Sequence, residues 1–175
     1  VKSFYEELRS EIPDLVFENC SSGGHRIEPG FVSMSSMSSF SDAHETVEIP
    51  VIAANLHRLI PPARNQVWAV LRREDDEQRL NWSLAATFLG RMCLSGDIQS
   101  LDRVARNRVA RAIRLYRQAV PVIRSGRSRL VRNIGPSYRH PEGWQCVLRE
   151  TIGADRKQIL AVFHAFSNEF PPEIT

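Results

Sequence analysis

An α/β fold with antiparallel strands after it is what this 175-residue sequence predicts, on three observations. Short apolar runs recur through the first half of the chain, each breaking into a loop of small or polar residues, as strands do at their ends. Stretches of helical periodicity separate them, and strand alternating with helix makes a parallel sheet. Near the C-terminus two runs of alternating character flank Gly153-Ala154-Asp155-Arg156, the pattern of a hairpin.

Phe4, Leu8 and Ile12 repeat at helical spacing with Tyr5 beside them, and Pro13 stops that helix. Leu15-Val16-Phe17 then predicts a buried strand that feeds Glu18-Asn19-Cys20 and breaks at Ser21-Ser22-Gly23-Gly24. A short helical stretch from Gly30 precedes a second strand, Met37 to Phe40, which ends at Ser41-Asp42. Val47, Ile52, Ala53 and Leu56 predict a helix interrupted near Pro50, and Arg58-Leu59-Ile60 a short strand ending at Pro61-Pro62. Val67 to Leu71 reads as a strand or the start of a helix, Arg72 to Gln78 as charged loop, and Trp82 to Phe88 as helix. Met92-Cys93-Leu94 predicts a further strand before the Ser95-Gly96-Asp97 turn. Four strand ends in succession match the second half of a (β/α)8 TIM barrel.

The most regular element runs from about Leu101 to Val120. Val104, Ala105, Val109, Ala112, Ile113, Leu115, Tyr116 and Ala119 share one arc of its wheel, and Arg103, Arg106, Arg108, Arg111, Arg114 and Arg117 fill the other. Such an arginine row suits a nucleic-acid-binding module; without interleaved aromatics it is read first as a solvated helix face. Beyond it, Leu130 and Ile134 with Pro136 and Pro141 read as connecting structure. Trp144 to Glu150 and Lys157 to Phe166 are the two strands of the hairpin.

Composition narrows the classes. A hydrophobic share of 42% and a charged share of 25% are those of a globular domain, and a formal charge of +3 points to no particular partner. No run approaches the ~20 apolar residues of a membrane span. The first residues are amphipathic rather than a leader, and the start of the protein is expected to lie before Val1. Cys20, Cys93 and Cys146 are far apart with no Cys-x-x-Cys spacing, which predicts a reducing, cytoplasmic compartment and no zinc site. The five histidines show no His-x-x-x-His pair, which disfavours metal catalysis.

Two consecutive strand ends carry polar chemistry: Cys20-Ser21-Ser22-Gly23-Gly24-His25-Arg26, and Ser41-Asp42. The glycines let backbone approach a ligand, Arg26 offers a planar fork of donors, and Asp42 a titratable carboxyl. Together they suit a polyhydroxylated substrate. The plainer reading is a glycine turn, a solvated arginine and an Asp42 that caps a helix from Ala43. His25 and His44 flank the two strand ends, either to tune Asp42 or as polar loop residues. Cys20 has no base placed beside it by sequence, so thiolate catalysis is not indicated.

The stretch Glu18 to Gly30, with Ser41-Asp42 downstream, resembles the Cys-x-x-Gly-x-x-Arg and Ser-Asp motifs of the melibiase-type α-galactosidases, glycoside hydrolase family 36. The similarity continues through Pro61-Pro62 and Arg79-Leu80-Asn81 to Ala119-Val120-Pro121-Val122-Ile123, roughly the first three quarters of the chain. The resemblance implies that Asp42 is a general acid/base, that Cys20 and Gly23 line a sugar pocket, and that Arg26 orients the loop or the substrate. It implies a retaining mechanism with two carboxyls ~5–5.5 Å apart. The family's nucleophile is an aspartate of a Lys-Trp-Asp-type motif on an earlier strand, and this chain contains no such motif.

It further implies that residues 1–124 are the second half of the catalytic barrel, with Cys20 after the fifth strand, Asp42 after the sixth, Pro61 after the seventh and Cys93 in the eighth. Residues 125–175 are then the first strands of a β-sandwich domain. The implied partner is a galactose-containing oligosaccharide, with no cofactor, metal, nucleic acid or membrane. A half barrel also implies a homo-oligomer or pairing with the missing half. Related members act on N-acetylgalactosaminides or transfer galactosyl groups to make raffinose-type sugars. This sequence departs from the family at Ser39-Phe40, where an aromatic residue, often tryptophan, is common, at Ala43-His44, and at Gln66, where histidine is usual.

Overall fold

The computed structural model describes residues 2–20, 25–43, 47–135, 137, 139–151 and 157–166. Four strands form one parallel sheet in chain order: β1 (Glu18–Cys20), β2 (Met37–Ser39), β3 (Asn65–Leu71) and β4 (Arg91–Gly96). Helices α1 (Lys2–Glu11), α2 (Pro29–Met34), α3 (Glu48–Leu56) and α4 (Glu77–Thr87) alternate with them, and α5 (Arg103–Ser125) follows β4. Parallel neighbours joined by helical crossovers are the geometry of an α/β sheet. The expected α/β class is therefore present, and the chain shows four strands of such a sheet.

The helices α2, α4 and α5 begin where a side chain satisfies free amides. The Glu28 carboxylate accepts from the Gly30 and Phe31 amides at 2.7 Å each. Asp76 and Asp102 do the same for the Arg79 and Ala105 amides, again at 2.7 Å. On the sheet, Val67, Ala69 and Leu71 of β3 point to the helices. Val67 joins Phe40, Ile49, Ala53 and Leu89 in one core, while Ala69 and Leu71 join Leu80, Leu84, Leu101, Val109 and Ala112 in another. The alternate residues Gln66 and Trp68 face the other way, towards Cys93, which pairs in register with Trp68.

Four sequence expectations need correction. Arg58 to Ile60 is no strand: the Leu59 and Ile60 amides both bond to the Leu56 carbonyl, at 2.9 and 2.8 Å, so the triplet closes the end of α3. The third strand is Asn65–Leu71, which places Pro61 before it rather than after it. Pro50 does not interrupt α3, because it sits in the first turn, where a missing amide costs no helical bond. The run Leu15 to Phe17 lies outside the strand, which is limited to Glu18–Cys20 and exposed at both its ends, since β1 is an edge.

The C-terminal region adds a three-stranded antiparallel sheet, β5 (Arg127–Ile134), β6 (Gly143–Glu150) and β7 (Ile159–Ala165). Residues 127–134, read as connecting structure, pair over their whole length with β6. The hairpin turn 153–156 lies outside the described residues. This sheet shares a core with the first, through Val147 and Val162. Gln145, fully buried, donates from Nε2 to the Pro50 carbonyl at 2.9 Å. Arg149, 1% exposed, donates to the Leu89 carbonyl at 3.1 Å and to Ser128 Oγ at 2.9 Å.

The wheel of α5 holds in its centre and fails at its rims. Val109 and Ala112 are buried, whereas Val104 and Leu115 are exposed. Of the arginines, Arg108 pairs with Glu77 of α4 at 2.8 Å, and Arg103, Arg106, Arg111, Arg114 and Arg117 are exposed. The helix also continues past Val120, through Pro121, to Ser125.

Candidate active site

Both loops singled out by sequence leave the same edge of the sheet. Cys20 ends β1 and is in register with Ser39, which ends β2, so Cys20 and Asp42 follow neighbouring parallel strands at their C-terminal ends. Adjacent strands lie ~4.8 Å apart, so the two loops start from neighbouring points. In α/β sheets this is the edge where loops converge on ligands.

The loop after β1 is closed at its base. Asn19 Nδ2 donates to the Arg26 carbonyl at 2.6 Å, tying the two ends of the excursion together. Gly23 lies outside the described residues. Cys20 and His25 are exposed, and the exposed Arg26 guanidinium stands 6.0 Å from the centre of the Phe31 ring, a cation–π contact that restrains it. The Phe31 backbone amide donates in turn to the Glu28 carboxylate at 2.7 Å, so the ring that faces Arg26 rises from the capped first turn of α2.

Asp42 is exposed, and it does not cap a helix. The next helix begins at Glu48, and its preceding residue, Val47, makes no side-chain cap bond. The Ala43 amide is instead bonded by Ser41 Oγ at 2.9 Å, which bends the backbone around Asp42 and leaves its carboxyl free of that duty. His44 lies outside the described residues. A cavity of about 450 Å3 adjoins this turn, lined by Phe40, Ser41, Ala43, Glu48, Asn55 and Arg139 among others.

Sequence reading missed Asn19 and Ser41 as the residues that fix the two loops. It also missed the sheet face turned away from the helices, where Gln66 Nε2 donates to Cys93 Sγ at 3.2 Å beside Trp68. The only trace of that face in the sequence is polar Gln66 and aromatic Trp68 alternating with Val67 and Ala69. Among the described residues no group of three or more His, Cys, Asp or Glu converges to hold a metal ion, and no helix is long and apolar enough to cross a membrane.

A parallel sheet with the exposed Asp42 beyond its C-terminal edge defines an α/β protein, a class whose ligands bind at that edge. The comparisons give the particular family. The family model for melibiase matches residues 1–126, and the chain belongs to that family. Among solved structures, the α-galactosidase AgaA of Geobacillus stearothermophilus superposes with a TM-score of 0.67 at 18% identity, over 88% of this chain and 23% of that one. An α-galactosidase from Lactobacillus brevis gives 0.66 at 18% identity, over 86% of this chain and 22% of that one. The galactosidase domain of the α-galactosidase-sucrose kinase AgaSK gives 0.65 at 19% identity, over 88% and 23%. This chain thus spans under a quarter of the length of the solved structures it matches. None of the curated proteins matches it.

Proposed function

We propose that this chain is the part of a retaining α-galactosidase that carries the general acid/base, Asp42. The observation that supports it is the shared edge: Cys20 and Asp42 follow adjacent parallel strands within the segment matched to the melibiase family. In this reading the Asp42 carboxyl protonates the glycosidic oxygen as the bond to the leaving group breaks, then takes a proton from the water that releases the sugar. Cys20 and Gly23 border the galactosyl ring, and Arg26, held over Phe31, orients the loop or a hydroxyl. The nucleophilic carboxylate comes from a segment outside this sequence, which has no Lys-Trp-Asp motif. The 175 residues alone therefore lack the covalent route.

The four parallel strands are read as the second half of a (β/α)8 barrel, and the antiparallel sheet from about residue 125 as the start of a β-sandwich domain. The free thiols Cys20, Cys93 and Cys146 are in keeping with a reducing, cytoplasmic setting.

The test is hydrolysis of aryl α-galactosides of graded leaving-group acidity by the protein that carries this segment, wild type against Asp42→Ala. With poor leaving groups the variant should lose ~10²–10⁴-fold, and with the most acidic phenols much less, because those need no proton. Equal loss across the series, or none, rejects the acid/base role. Faster cleavage of an N-acetylgalactosaminide, or galactosyl transfer to sucrose in place of hydrolysis, would keep Asp42 and change the substrate.

A further inference from the structure

At the opposite end of the parallel sheet lies a second cavity, of about 510 Å3, bounded by Ala63, Arg91, Met92, Tyr116, Ile123 and Arg124 among others. Its charged lining is cationic. Arg91 opens β4, Arg124 belongs to the last turn of α5, both are exposed, and neither forms an ion pair among the described residues. Tyr116 forms one wall. Its hydroxyl donates to the Gly90 carbonyl at 2.8 Å and accepts from the Met92 amide at 3.0 Å, which fixes the ring.

A third guanidinium stands near that wall. Arg149 bonds to Leu89, the residue before Tyr116's partner Gly90, and its Nη1 is buried with no hydrogen-bond partner among the described residues. Arg91 and Arg149 both act on Tyr116, favouring its ionised form against the burial that raises its pKa. Among the described residues no carboxylate forms an ion pair with either arginine. From Arg103 to Pro141 the sequence holds eleven arginines and not one Asp or Glu. An arginine as buried as Arg149 without a counter-charge is costly, and an anion close by offsets that cost.

We propose that this cavity is an anion site that takes a phosphate group, either free or carried on a small organic body. The forks of Arg91 and Arg124 suit the oxygens of a tetrahedral anion, each able to give two parallel N–H bonds. Met92, Val120 and Ile123 supply apolar walls for an attached body, and the volume lies in the range of small-ligand pockets. The site is independent of the reading of Asp42, since it sits at the other end of the strands and uses none of the same residues.

Calorimetric titration of the protein with inorganic phosphate, and separately with a hexose monophosphate, at constant ionic strength tests it. Saturable binding is expected, weakened at least ~10-fold by Arg91→Gln and by Arg124→Gln, each of which removes charged hydrogen bonds from an exposed position that the fold does not need. Arg106→Gln and Arg114→Gln, on the solvated face of α5, should leave it unchanged. Tighter binding of the ester identifies an organic phosphate, and equal binding identifies the free anion. Absence of saturation by either probe up to roughly 10 mM, or equal weakening by all four substitutions, overturns the site.

Discussion

His164 is buried and His57 half-buried, both where a charge finds no welcome. Burial lowers the pKa of His164 from 6.5 to about 4, and neither of its ring nitrogens has a hydrogen-bond partner among the described residues; Trp82 stands edge-on at 5.0 Å. His57 is lowered to about 4 by burial and then by the Arg149 guanidinium, against a bond to the Leu89 carbonyl that raises it. That bond, 2.6 Å from Nε2, puts the proton on Nε2. The 3.3 Å approach of Arg149 Nη2 to the same nitrogen is then donor facing donor, a repulsion that agrees with the lowered pKa. The unfolded chain takes up these protons near pH 6.5 and the folded chain only near 4, so stability falls as pH drops through that window and levels off below it. Each histidine weakens the fold at pH 4 relative to pH 7 by on the order of 3 kcal/mol. Urea unfolding across this range should show that decline, and His164→Phe should make it shallower; an unchanged slope would mean that His164 takes up its proton equally in the folded and unfolded states. At this scale, the strand-end positions of Cys20 and Asp42 are legible because small and polar residues follow apolar ones. The bond from Asn19 to the Arg26 carbonyl is not, since a side chain reaching across a loop leaves no periodic trace.

Among the elements, those fixed by local chemistry read well and those fixed by neighbours do not. The start of α5, where Asp102 accepts from the Ala105 amide, reads close to Leu101, whereas α4 begins at Glu77 behind its Asp76 cap, inside the charged stretch to Gln78 that reads as loop. Arg58-Leu59-Ile60 misleads because an apolar pair after an arginine has the look of a short strand, yet Leu59 is exposed and only Ile60 is buried. The strand β5 is hidden for the opposite reason: Arg127, Arg129 and Arg132 interrupt it, and only its pairing with β6 makes it a strand. The turn after β4 is a case where one residue type is required. Gly96 has φ +86°, and a Cβ there would overlap the Leu71 carbonyl across the β3–β4 pairing. Gly96→Ala should therefore cost ~2 kcal/mol or more, combining left-handed strain with that overlap. Thermal unfolding would show it, and a melting temperature equal to wild type would contradict the close approach.

For the whole molecule, part of the exposed apolar surface lies in the segment that leads into β1. Phe4 of α1, Ile12 just after that helix and Val16 before β1 are 58%, 48% and 58% exposed, beside an edge strand of the described sheet. In keeping with the half-barrel proposal, this edge should find a partner, and the 175-residue chain should scatter light as more than one copy of its 19.9 kDa mass. Phe4→Glu combined with Val16→Lys should return it to a single copy, and a monodisperse wild-type monomer would count against the proposal. The sequence makes the ends of β1, β2 and β4 legible, misplaces that of β3, and does not tell which side of the sheet is open, because an apolar pattern marks burial without saying what supplies it.

The strand order β1-β2-β3-β4 repeats the order along the chain, with no later strand inserted between two earlier ones. Each strand docks on the one made just before it, so the sheet suits assembly in step with synthesis. The seam beside β1 is crossed by no later strand of the sheet, and a second polypeptide bearing parallel strands could join there without threading. Complementation between two separately expressed pieces is therefore topologically open at this seam, as it would not be in a sheet whose strands interleave.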